Sequence, residues 1–382
     1  MSTLIVHEWI ARTGGSERVL DRMVGAFPDA PVLCLWNEDA GRYPHREVRE
    51  TWIGRTPLRG HKALALPVSA LAWRRAGAAL AADTVVVSSH AFAHHVRCVD
   101  HGRGVRKFVY VHTPARYLWA PELDHRGARG AAARVVAGPV LRALDRRRAT
   151  DEMSIAANSE FVRRRIASAW HRDARVIYPP VDVERLQAVR DWSEHVGSGE
   201  AQVLDALPEQ YVLGASRFVP YKRLDVVIAA GEAVGLPVVL AGSGPQEQAL
   251  RSRARQARVP VTFVDQPSDA LLYALYQRAL VLVFPAVEDF GIMPVEAMAC
   301  GTPVVANAVG GARESLDAPV GGALVEDFAP RELAAAVHAA ADRDRHQVRR
   351  QAGRFSARRF DAELLAWVDG GVPAPRTAGA RG

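Results

Sequence analysis

Only three cysteines occur in 382 residues, and Cys34, Cys98 and Cys300 show no paired spacing. A disulfide framework is excluded, and free thiols in a reducing compartment are expected. No apolar run reaches the roughly 18–20 residues that would span a bilayer. The opening, MSTLIVHEWI, has neither a charged start nor an apolar stretch of signal-peptide length. A soluble or peripheral, cytoplasmic protein is the expectation. No Gly-x-Gly-x-x-Gly follows the first apolar run, so a dinucleotide fingerprint is missing there. The loop Gly242-Ser-Gly244-Pro is too incomplete for a P-loop and carries no nucleophile elbow. Lysine and arginine number 49 against 42 acidic residues, a net charge of +7. That balance suits anionic partners of several kinds. No nucleic-acid recognition motif accompanies it, so charge alone supports DNA binding weakly.

What is present is alternation. With 49% hydrophobic residues the chain can bury substantial cores, and its length suits two to three domains at roughly 150 residues each. Short apolar runs read as buried strands at 3–6, 32–35, 84–88, 107–111 and 155–157. A second series falls at 211–215, 237–241, 261–263, 280–284 and 303–306. Helical stretches lie between them, which argues for doubly wound parallel sheets. Pro179-Pro180 halts regular structure and suggests a first domain over 1–185. Residues 186–208 are polar and glycine-containing and read as a linker. A second domain follows over 209–345, then basic helical sequence over 346–369. Residues 370–382, of Gly, Pro, Ala and Arg, read as a disordered tail.

The most informative stretch is 280–306, LVLVFPAVEDFGIMPVEAMACGTPVVA. Pro294 can start a short helix and Gly301 can stop it. The amides of Gly291, Ile292 and Met293 would then lie at the positive end of a helix at a strand terminus, where phosphates bind. Glu288 and Glu296 flank this cradle, so a diphosphate with a polyol on each side fits it. Two alternatives stand beside this reading. Strand–loop–helix with a glutamate or two is common architecture. A glycosidase pair would need both carboxyls facing one bond, and Glu296 is poorly placed for that.

Other segments carry charge or ring nitrogens at strand ends. Gly14-Gly15 precedes a helix from Ser16, a fair N-cap, to about Ala26. His112 follows the 107–111 strand in His112-Thr-Pro-Ala-Arg116-Tyr-Leu-Trp119, where it either faces a ligand or is satisfied structurally. Arg116 and Trp119 hold a ligand or only the loop. His90 and His94 have metal-ligand spacing, but no further ligand completes a set, so no metal is expected. Residues 123–150 are arginine-rich. Their apolar positions suit a helix packed on the core or a face laid on an anionic membrane. Arg217 and Lys222 follow the 211–215 strand, and their charges would converge on the same crevice as Glu288.

The string from Glu288 to Ala306 resembles the signature of the family-four retaining glycosyltransferases of GT-B fold. The arginine–lysine spacing at 217 and 222 matches that family too. The His112–Trp119 segment is similar to members that build bacterial surface polysaccharides, several of them mannosyltransferases. An aspartate often follows the tryptophan there, whereas this chain has Ala120 and Pro121. The resemblance implies two Rossmann-like parallel-sheet domains facing across a cleft, with a C-terminal helix crossing back to the first. It implies transfer of a hexose, mannose from GDP-mannose first, from a nucleotide-sugar to a glycan or a polyprenyl- or phospholipid-linked acceptor. Catalytic roles fall to His112, Arg217, Lys222 and Glu288. Donor-binding roles fall to Gly14, Gly15, Arg217, Lys222, Glu288, Phe290, Gly291, Ile292, Met293 and Glu296. Arg116 and Trp119 belong to the acceptor side, and no metal or other cofactor is implied. A lipid-linked acceptor would place the protein at the inner face of the plasma membrane. A UDP-sugar donor and a non-catalytic nucleotide-sugar-binding subunit are the alternatives.

Overall fold

The computed structural model describes residues 2–78, 80–99, 104–120, 131–316 and 319–370. The chain forms two compact units, Met1–Tyr178 with Phe360–Gly382, and Pro179–Arg359.

The first unit is built on β1 (Thr3–His7), β2 (Val32–Cys34), β3 (Val48–Glu50), β4 (Thr84–Ser89), β5 (Arg106–Val111), β6 (Ser154–Ala157) and β7 (Arg175–Val176). They pair in parallel in the order β3-β2-β1-β4-β5-β6-β7. Side chains alternate across a strand, and here both faces are buried. Leu4, Val6, Val85, Val87, Val109 and Val111 enter one core. Ile5, Val86, Phe108 and Tyr110 enter the other. That is why the strands read as continuous apolar runs rather than alternating ones. The helix Ala357–Asp369 completes the second core with Phe360, Leu364 and Trp367. Trp367 donates its indole N–H to Ser154 Oγ at 2.8 Å.

The second unit carries β8 (Val212–Ala215), β9 (Val238–Ala241), β10 (Val261–Val264), β11 (Val281–Phe284), β12 (Val304–Asn307) and β13 (Gly322–Val325). All pair in parallel, in the order β10-β9-β8-β11-β12-β13. Strand order reverses at β8/β11 here and at β1/β4 in the first unit. These are the positions where open α/β sheets leave a crevice at the carboxyl ends of the strands.

Several expectations need correction. Residues 186–208 are not a linker. They hold the helices Val183–Ala188 and Ser198–Asp205 and a 3-10 turn at Trp192–His195. Trp192 is buried against Tyr273, ring centroids 4.8 Å apart, and Ser268 donates to Glu200. Polar sequence masked these packed turns. The 346–369 stretch is divided: Arg345–Ala352 belongs to the second unit, and the helix at Ala357–Asp369 belongs to the first from Phe360 onward. Ser16 is not the N-cap of its helix, because Gly14 is, and the helix runs Gly15–Ala26. The proposed tail at 370–382 lies, beyond Gly370, outside the described residues, as does 121–130.

Candidate functional site

In the second unit the candidates gather at the β8/β11 switch. After β8 the chain passes through Arg217, which is exposed, into a 3-10 turn at Pro220–Lys222. Arg223 then takes a left-handed conformation, φ 51°, and caps the next helix. This turn folds Lys222 back over the sheet. Its ammonium lies over the rings of Tyr221 and Phe284, 5.4 and 5.3 Å from the centroids. After β11, Glu288 comes to meet it, with Lys222 Nζ 2.6 Å from Glu288 Oε1. Both side chains are mostly shielded, 12% and 19% exposed. An ion pair in that setting is stronger than a surface one and is less screened by salt.

The helix beside this pair begins at Ile292, not at Pro294, and ends at Ala299. Gly291 is its N-cap with φ 102°, a conformation that favours glycine. Pro294 is the third helical residue, where its missing N–H costs nothing, since first-turn amides have no partner within the helix. Ile292 and Met293 are part-exposed at this start. Phe290 is buried, its ring 5.4 Å from that of Phe355. Glu296 is 4% exposed and lies in the second helical turn rather than the first. It therefore does not serve the helix terminus electrostatically, and its burial makes it a structural or ligand-facing carboxylate.

The glycine loop after β12 helps to shape this site. Asn307, at the end of β12, donates to Pro285 O at 3.0 Å and accepts from Val309 N–H at 2.8 Å. Gly311 N–H donates to Glu288 O at 2.7 Å. A Cβ on Gly311 would fall 2.1 Å from Asp289 O, so only glycine lets the two loops close. The glycine pair after a strand was the visible signal, but its partner was distant in sequence.

The first unit holds the remaining candidates. Gly14 and Gly15 are exposed at a helix start. Arg116 begins the short helix Arg116–Trp119. Trp119 donates its indole N–H to Asp145 Oδ2 at 2.7 Å, which makes it a packing anchor as well as an acceptor-side candidate. His112 follows β5 and is partly open to solvent. Burial nonetheless pushes its imidazole down to a pKa of about 3, so it is neutral at ordinary pH. Ser88 Oγ sits 2.8 Å from His112 Nε2. His90 stands close by, 6.1 Å from His112 and 4.5 Å from Trp9 between ring centroids.

His94 and His95 converge on Asp145 Oδ1, each Nε2 at 3.0 Å. The other carboxylate oxygen accepts from Trp119 and from Trp170, the latter at 2.8 Å. This group has a spacing that can hold a metal ion. His95, Trp119 and Trp170 donate to this carboxylate, while His94 Nε2, buried 3.0 Å from it, makes no hydrogen bond. Burial would raise the Asp145 carboxyl, but the two histidines hold it far below its ordinary value. Asp145 projects from the helix Ala131–Ala149, whose buried side it shares with Ala149. A buried acid on the core side is why hydrophobic spacing described this helix poorly. Val140, by contrast, is 70% exposed. Among the described residues no helix is long and apolar enough to cross a membrane.

Residues 201–355 match the family "Glycosyl transferases group 1". The D-inositol 3-phosphate glycosyltransferase of Mycolicibacterium smegmatis is 32% identical over 236 residues, 56% of this chain and 52% of that protein. The enzyme of the same description from Mycolicibacterium paratuberculosis is 32% identical over 232 residues, 55% and 51% of the two chains. The chain thus spans about half the length of the curated relatives it matches. Among solved structures, Anabaena HepE in complex with UDP has a TM-score of 0.71 at 18% identity, covering 97% of this chain and 100% of that one. WaaG, a glycosyltransferase involved in lipopolysaccharide biosynthesis, has a TM-score of 0.67 at 17% identity, with 97% and 100% covered. At such identities the likeness is one of fold, and the two parallel-sheet α/β domains are those of the GT-B class expected from the sequence.

Proposed function

We propose that this protein is a retaining, metal-independent glycosyltransferase that moves a hexose from a nucleotide-sugar to a hydroxyl of a glycan or lipid-linked acceptor. The observation that carries this reading is the Lys222–Glu288 pair set beside the helix start at Gly291–Met293, at the β8/β11 switch. A cation, a row of unpartnered first-turn amides and a carboxylate then serve the phosphates and the sugar hydroxyls of one donor. In the reaction the bond between C1 of the sugar and the diphosphate oxygen breaks, and the diphosphate keeps the electron pair. Lys222, Arg217 and the amides stabilise that developing charge, which makes their contribution catalytic rather than uniform. The acceptor oxygen bonds to C1 on the same face, and its proton passes to the departing phosphate. Glu288 orients the sugar and Glu296 takes the ribose, and His112 keeps the catalytic role that the resemblance gives it.

GDP-mannose is the first donor, from the resemblance of His112–Trp119 to surface-polysaccharide mannosyltransferases. UDP-sugars form the second reading, favoured by the likeness to HepE, whose structures hold UDP and UDP-glucose. The inositol phosphate named for the mycobacterial relatives adds a phosphorylated polyol to the acceptors worth assaying. A lipid-linked acceptor would bring the arginine-rich 123–150 region to an anionic membrane surface.

The test is thermal unfolding with GDP, UDP, ADP and dTDP, with magnesium and with a chelator. A ligand at about 100 times its Kd stabilises by roughly 2.7 kcal/mol. A shift with one diphosphate, unchanged by the chelator, supports the reading and selects the base. A shift that requires magnesium overturns the metal-independent mechanism, and no shift with any of the four overturns the donor site.

A further inference from the structure

Behind His112 the first unit buries a line of polar groups that runs from β5 across β4 and β1 to the helix at Gly15–Ala26. His7 and Ser88 close β1 and β4 and are register partners in that parallel pair. Ser88 Oγ lies 2.8 Å from His112 Nε2 and 3.0 Å from His7 Nδ1, so one hydroxyl bridges two imidazoles. The other nitrogen of His7, Nε2, is buried without a hydrogen bond and points to Glu17 Oε1 at 4.0 Å. That is too long for a hydrogen bond but within reach of a carboxylate's field. Glu17 accepts from Ala11 N–H at 3.2 Å and from the Ser16 hydroxyl at 2.9 Å. His7 and Ser88 are fully buried and Glu17 is 3% exposed. Burial pushes the Glu17 carboxyl up, but His7, Ser16 and the Ala11 amide outweigh it and hold the pKa at about 2.

We propose that Glu17, His7 and Ser88 are positioning residues that fix which nitrogen of His112 carries its proton. The argument is a count of hydrogens. Ionised Glu17 favours a proton on His7 Nε2. In the neutral form of His7 that carries this single proton, Nδ1 offers a lone pair, which takes the Ser88 hydroxyl hydrogen. That hydroxyl has no second hydrogen, so toward His112 it can only accept. His112 is therefore protonated on Nε2 and keeps a lone pair on Nδ1. The relay makes His112 an acceptor toward a substrate hydroxyl rather than a donor, with the tautomer set by the bond at its other nitrogen. The consequence for sugar transfer rests on the function proposed above, whereas the tautomer itself does not.

The test uses the full chain labelled with 15N-histidine, with His112 assigned by its loss in His112→Gln. Long-range proton–nitrogen spectra distinguish the two tautomers. The expected result is Nε2–H for His112 in the native protein, a mixture or the other tautomer in Ser88→Ala, and recovery in Ser88→Thr, which keeps a hydroxyl. Glu17→Gln should weaken the preference. Steady-state kinetics of Ser88→Ala should show kcat lower by about 10- to 100-fold, the scale for removing a partner that orients a functional histidine, with KM for the donor little changed. Protonation of His112 on Nδ1 in the native protein, or the same spectrum in Ser88→Ala and Glu17→Gln, overturns the relay. A tautomer that moves while kcat does not overturns its role in the reaction and leaves the transferase reading intact. Native protein that turns over no donor overturns that reading instead, and the spectra still decide the relay.

Discussion

Lys222 and Glu288 meet at 2.6 Å across the reversal of strand order between β8 and β11. The residues are 66 positions apart (288 − 222), and only the sheet topology makes them neighbours. On the function proposed above, a donor diphosphate would compete with Glu288 for the lysine. The pair thus holds the cation in place and keeps it partnered until phosphate oxygens arrive.

Replacing that cation removes charge stabilisation where the leaving group forms. Lys222→Ala is expected to lower turnover by roughly 10²–10³-fold, while circular dichroism remains native. Near-wild-type turnover would refute the assignment of Lys222.

The site's shape depends on two loops closing without a side chain between them. Gly311→Ala sets a methyl 2.1 Å from Asp289 O, which forces the Glu288 loop to shift. Overpacking of this kind costs about 1–3 kcal/mol. Nucleoside diphosphate affinity should fall, as read by calorimetric titration, and a variant binding as tightly as the native protein would show that the loop has another way to close.

Asp145 accepts from His95, Trp119 and Trp170 and sits at 0% exposure. Asp145→Ala should cost about 3–5 kcal/mol in urea unfolding, the scale for removing one partner of a buried charged network. A chelator should leave the native protein's stability unchanged. A drop on chelation would make His94, His95 and Asp145 a metal centre.

Two buried glutamates shape the acid side of the stability profile in opposite directions. Glu17 is held at about 2, below its ordinary 4.5, so its contribution is present above 4.5 and is lost as pH falls toward 2. Burial outweighs the backbone N–H groups of Phe92 and Ala93 at Glu8 and raises it to about 7. Its contribution is complete below 4.5 and is lost as pH rises to 7, because the unfolded chain gives up the proton first. The buried, lowered imidazoles of His112 and His95 add stability as pH rises to about 6.5 and oppose that arm, so Glu8→Gln should make urea-melt stability rise more steeply between pH 4.5 and 7. An unchanged slope in the variant would locate the titration elsewhere.

The central strands and the loop at 285–311 were legible because continuous apolar runs and a proline–glycine frame leave few alternatives. The edge strands β3 and β13 were not. Val48–Glu50 is half-buried or exposed, and Gly322–Val325 begins with glycine, so neither shows the signal of a buried strand. The candidates Lys222 and Glu288 were readable one by one, since each follows a strand. The relay behind His112 was not, because His7, Glu17, Ser88 and His112 are spread over 106 positions (112 − 7 + 1) and join only through β-strand register. Arg223 hid for another reason: its left-handed backbone, unusual for a residue with a side chain, gives no sign in composition.

The helix at Ala357–Asp369 has a consequence for the order in which this protein is made. Phe360 packs on Tyr110 and Trp367 on Phe108, with ring centroids 5.7 and 5.3 Å apart, inside a core whose strands begin at Thr3. On the ribosome the first sheet emerges long before the side chains that roof it. Its open apolar face must wait while the whole second unit is synthesised. The first unit is thus a domain that the chain leaves and returns to, and its last stitch is placed only after the second unit has been made.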